Sequence, residues 1–209
     1  EEQMSAFVLR MRNITQNSVA INTAIINNSF SKGLQPACRN AQADLVVLGA
    51  HQNSSVGGLF GNKSIYAGKL IKEPLLLVPG HCRFDKINKI GLASDLSNGR
   101  GEGVHLLKRI AKALHATIHV LYAEVGGHTS DQQYREARGL VNIFGTDQIY
   151  HTISSKNVDD DVMDYLQKEQ VQLLAVLSQK HGLLQRLFHF SHTGYFIRFS
   201  QIPVLVLQA

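Results

Sequence analysis

"KIGLASDLSNGRGEGVHLLKRIAKALHATIHVLYAE", residues 89–124, holds two short apolar runs on either side of one helical pattern. Val104, Leu107, Ile110, Ala111 and Leu114 recur with the spacing of a single buried helix face, which predicts a helix over Gly103–Ala116. "KIGLASD" and "TIHVLYAE" are continuous and apolar, as strands buried on both faces are. Strand, helix and strand in this order predict a parallel pair joined by a crossover.

The alternation continues downstream. A helix is predicted over Ser130–Phe144, then the strand "IYHTIS", then an acid-started helix over Asp159–Glu169. "LLAVLS" reads as a fourth strand, followed by a loop, a helix ending near Arg198 and the closing strand "PVLVL". Five such units predict an α/β domain with a parallel sheet covered on both faces.

Upstream lies a second, shorter version of the same pattern. Pro74 before "LLLV" and Pro203 before "VLVL" stand 129 residues apart. The same offset links Gly49 to Ser178 and Thr23 to Thr152, so residues 1–80 match residues 130–209 without a gap. So long a period indicates a duplicated domain rather than a solenoid, whose units run to about 20–50 residues. Residues 1–83 are read as a partial copy and residues 84–209 as a complete one.

In the partial copy a helix over "EEQMSAFVLRMRNIT" precedes a predicted strand "VAINTAI", a helix "SKGLQPACRNA", the strand "DLVVLG", a further helix and "LLLVP". It has no counterpart of residues 84–129, so its first two strands and the helix between them are lacking. The sequence is therefore expected to be a fragment, a truncated chain or a protein completed by another chain. "PLLLV" and "PVLVL" each close a copy and should lie at a sheet edge. Pairing of strands 75–78 and 204–207, within the chain or between two chains, would bury both.

Composition narrows the function classes. A 44% hydrophobic and 18% charged chain can fill a core, and no apolar run approaches a bilayer span, so no membrane partner is expected. The +5 net charge comes from scattered Lys and Arg without Trp or a basic run, which argues against a nucleic-acid partner. Cys38 and Cys82 lack metal or redox spacing and fit a reducing, cytoplasmic setting. His181, His189 and His192 have no carboxylate or cysteine placed to complete a metal site. The acids of "NVDDDVMDYL" are explained by a helix start, through capping and the helix dipole, and not by calcium.

"KIGLASDLS" opening a copy, "ADLVVLGAH" before a loop, and "EPLLLV" and "IPVLVL" closing each copy together resemble the universal stress protein family, in a tandem two-domain form. The resemblance implies an open, doubly wound, five-stranded sheet of order 3-2-1-4-5, of the adenine nucleotide alpha hydrolase-like kind. It also implies domain pairing through the fifth strands and roles in stress survival. Members that bind ATP carry an acidic residue after the first strand and a G-x2-G-x9-G-[ST] loop after the fourth.

Such a site has a physical basis: glycines let backbone N–H groups approach phosphates, and the following helix N-terminus adds partial positive charge. The complete copy keeps the acid as Asp95, with Ala93 and Val120 on the two strands beside it. Its glycine positions read Ser178, His181 and Ser191, followed by His192 and Thr193. Side chains at Ser178 and His181 would fill space that phosphates need, although the hydroxyls and a protonated histidine could still meet an anion. The partial copy keeps Gly49 but has Gln52, Asn62 and Lys63 at the later positions.

The expected function is a non-enzymatic regulatory or interaction protein of the universal stress type. It would have an unknown protein partner, no required cofactor and no ATP binding of the usual kind. One alternative is an ATP or AMP sensor using Asp95 and the Ser178–Thr193 loop. The other is a nucleotide-hydrolysing or nucleotidyl-transferring enzyme, for which the loops place no general base.

Overall fold

In the computed structural model, which describes residues 2–50, 67, 70–83, 86–93, 101–123, 139, 143–145, 148–153, 157–178, 195–197 and 200–208, one seven-stranded sheet forms the centre. Its strands are β1 (Val46–Ala50), β2 (Leu75–Pro79), β3 (Lys89–Ala93), β4 (Thr117–Ala123), β5 (Ile149–Ile153), β6 (Leu173–Ser178) and β7 (Val204–Gln208). Across the sheet they lie in the order β1-β2-β7-β6-β3-β4-β5. The helices are α1 (Glu2–Ile14), α2 (Phe30–Asn40), α3 (Glu102–Leu114) and α4 (Val158–Lys168). Ala67, Leu70, Gly139, Ile143, Phe144 and Tyr195–Ile197 are also helical. The rest of the helices expected before β2, between β4 and β5, and before β7 lies outside the described residues.

β3 to β7 form the doubly wound set. Numbered within it, they run 3-2-1-4-5, all parallel, with the order reversing at β3 between β4 and β6. One face carries Ile90, Leu92, Ile118, Val120, Leu173, Ala175, Leu205 and Leu207 against Val104, Leu107 and Ala111 of α3. The other sets Leu77, Leu121, Leu174, Val176 and Val206 against Cys38 of α2, Val162 and Leu166 of α4, Phe196 and Ile197. Strands buried on both faces explain why these segments are apolar at successive positions.

β2 runs antiparallel to β7, with Leu75 opposite Val206, Leu76 opposite Leu205 and Leu77 opposite Val204. The 129-residue shift maps this pair onto itself, with Leu76 and Leu205 at the centre of a local two-fold. Away from that seam the repeat is not free of gaps. Val46 lies beside Leu75, 29 residues on, whereas Leu174 lies beside Val204, 30 residues on. The sheet therefore equates Val46 with Leu174, Gly49 with Leu177 and Ala50 with Ser178.

"VAINTAI" does not form the expected strand. Residues 19–27 have no regular structure, and Val19, Ile25 and Ile26 are 56%, 74% and 47% exposed. A strand exists only through its ladder, and β-branched propensity alone does not hold one without a neighbour. The described residues supply no strand beside this segment.

Candidate functional site

The reversal of strand order at β3 makes its carboxyl end, with that of β6, the crevice where open α/β sheets take ligands. Ala93 and Val176 lie side by side there, and Ser178, paired with Gln208, ends β6. Ala93 is 8% exposed at the rim. Val120 is fully buried beneath α3 among Leu92, Val104 and Ala175. Asp95, His181, Ser191, His192 and Thr193 lie outside the described residues, as do Gln52, Asn62 and Lys63. Gly49 sits near the end of β1, with nothing within 4 Å of where a Cβ would be.

α3 starts just beyond this crevice, at Gly101 in extended conformation and without a side-chain cap. Its first turn carries Glu102, which offsets the positive end of the helix dipole. The acid-rich start of α4 uses no side-chain cap at Asn157 either: the backbone N–H of Asp161 donates to Asn157 O. Asp159–Asp161 there leave the helix dipole as the main reason for that composition, while Asp160 accepts from Asn157 Nδ2 and from the Tyr195 hydroxyl. The hydrogen bond to Asp160, then burial, pushes Tyr195 up to about 12.

A polar group absent from the sequence reading occupies the edge of the sheet. His119, on β4, is 1% exposed, and its Nδ1 lies 2.8 Å from the Tyr165 hydroxyl on α4. Tyr165 also stacks on His151 of β5, with ring centroids 4.4 Å apart. Lys89 Nζ donates to Glu169 O at 2.8 Å and pairs with its carboxylate at 3.3 Å. Burial, then the Lys89 cation, holds His119 below its ordinary 6.5, against a smaller opposing pull from Glu169. Burial raises Tyr165, with Glu169 adding to it. Histidines inside "TIHVLYA" and "IYHTI" were the available signal: a polar ring in an apolar strand needs a partner across the core.

His151, Asp161, Asp164, Tyr165, Lys168 and Glu169 line a cleft of about 570 Å³ along β5 and α4. It takes no residue from β3 or β6, so it is separate from the crevice. Three carboxylates against one lysine make it a poor seat for a phosphate. Among the described residues no cluster of histidine, cysteine or carboxylate could hold a metal ion, and no helix is long and apolar enough to cross a membrane.

The fold has solved counterparts. The chain is similar to a universal stress protein from Archaeoglobus fulgidus DSM 4304, at 15% identity and a TM-score of 0.70, over 99% of this chain and 78% of that one. It is similar to a functionally unknown protein from Pseudomonas aeruginosa PAO1, at 16% identity and a TM-score of 0.72, over 100% of this chain and 78% of that one. The sheet is therefore of the universal-stress type. No family model and no curated protein matches the sequence.

Proposed function

We propose that the chain is a universal-stress-type protein that acts as a folded regulatory or interaction module and does not hold ATP. Four observations support membership: the strand order 3-2-1-4-5, the seam between the two closing strands, the quoted motifs and the similarity in fold. The observation that carries the loss of ATP binding is at the end of β6. The first glycine position reads Ser178 by sequence offset and Leu177 by sheet register, so either reading places a side chain there. Close backbone approach to a phosphate depends on the missing Cβ.

The alternative is an ATP or AMP sensor. Asp95 favours it, as the acid that follows β3 in sequence, with Ser191 and Thr193 offering hydroxyls. Titration calorimetry with ATP, ADP and AMP separates the two. The proposal expects no saturable heat. Saturable binding in the micromolar range, lost in Asp95→Ala, would establish the sensor instead, and phosphate release lost in the same variant would establish a hydrolase.

A further inference from the structure

His119 is 1% exposed, and its two ring nitrogens are served unequally. Nδ1 meets the Tyr165 hydroxyl at 2.8 Å, whereas Nε2 has no hydrogen-bond partner among the described residues. A neutral imidazole has one donor and one acceptor nitrogen, so a single polar atom is left unsatisfied. The imidazolium fits worse. It has two N–H donors, and the folded site offers them one acceptor, the Tyr165 hydroxyl. A buried charged donor without a partner costs more than a neutral one.

The surrounding groups do not remove that cost. Burial opposes the added charge most, Lys89 of β3 opposes it next, and Glu169, just after α4, favours it less. His151 of β5 stacks on Tyr165 and adds no counter-charge. Asp161, Asp164 and Lys168 of α4 line the cleft with Tyr165 and Glu169, but His119 itself does not line it. The element able to yield is α4. It buries two of its eleven residues, Val162 and Leu166, where α3 buries four of thirteen. Its start has no side-chain cap, and the Lys89 and Glu169 side chains that pair at its end are 37% and 36% exposed. Elements with little buried surface open at a lower free energy than the core.

We propose that the His119–Tyr165 pair is an acid-sensitive latch on α4. Protonation of His119 favours a state in which α4 lifts from β4 and β5, the ring reaches water, and the cleft carboxylates Asp161, Asp164 and Glu169 come within reach of its charge. In the open state the ring titrates near the ordinary 6.5, and in the closed state below it. Opening is therefore favoured as pH falls through 6.5, by about thirtyfold between pH 7.5 and pH 5 for a ring that stays neutral when closed. The latch belongs to the cleft and not to the crevice, so it does not depend on nucleotide binding.

The test is hydrogen exchange of the 209-residue chain at pH 7.5 and pH 5, corrected for the intrinsic rate. The amides of residues 162–168 should lose protection by about tenfold to thirtyfold at the lower pH, and should be less protected than those of β3 and β6 at both. His119→Leu should remove this pH dependence, and His151→Gln, at an exposed position of the same cluster, should retain it. Tyr165→Phe keeps the ring and removes the hydroxyl. It should loosen α4 already at pH 7.5 and keep the acid response, a second readout should His119→Leu pack poorly. The proposal is overturned by equal protection at the two pH values, or by a response that survives His119→Leu or is lost in His151→Gln. It is also overturned if α4 opens at the same free energy as β3 and β6, which is global unfolding.

Discussion

At Gly91 of β3 an added Cβ would lie 2.7 Å from Leu166 Cδ2 and 3.5 Å from Val171 Cγ1, inside the core under α4. The glycine is there for close helix–sheet packing. Gly91→Val should cost about 1–3 kcal/mol in urea unfolding, while Gly49→Ala, with open space around it, should change stability little. His119 supplies a pH signature. Its folded-state pKa is depressed, so the unfolded chain binds the extra proton first as pH falls. Its contribution to stability is therefore complete above the ordinary 6.5 and is lost as pH drops below it. Melting temperatures of the chain and of His119→Leu, compared between pH 8 and pH 5, should show the flatter profile in the variant. A parallel profile would mean that His119 does not titrate in this window.

Element by element, periodic apolar spacing was readable because burial imposes it: α3 and α4 lie within one or two residues of the ranges predicted from their apolar faces and charged starts. "VAINTAI" misled because its β-branched residues describe a strand that has no neighbour to pair with among the described residues. The Gly49–Ser178 equivalence slipped by one residue because similar apolar strings align equally well in either register, and only the sheet pairing distinguishes them. The His119–Tyr165–His151 cluster escaped because His119 meets Tyr165 46 residues further along the chain. One local feature is testable at this scale. α3 ends at His115 in the left-handed region (φ 52°, ψ 40°), closed by Ala116 N–H donating to Ala111 O at 2.9 Å. A side chain there is strained, so His115→Gly should raise stability by about 1 kcal/mol in the same unfolding assay.

For the whole molecule, the β2–β7 seam joins the two halves into one sheet. Leu205 is 1% exposed there and opposite Leu76, so Leu205→Ala should cost about 2–5 kcal/mol, a large share of a typical domain's stability. If the variant unfolds at the same urea midpoint, the seam does not carry that load. The parallel fold was legible because alternating strands and helices leave few topologies open. What the crevice holds was less legible, since it depends on loop backbone and not on periodicity. The most direct measurement is the nucleotide released on denaturing protein purified without added ligand, separated by ion-exchange chromatography. The account predicts none above the buffer background. One adenine nucleotide per chain, absent from Asp95→Ala, would contradict it.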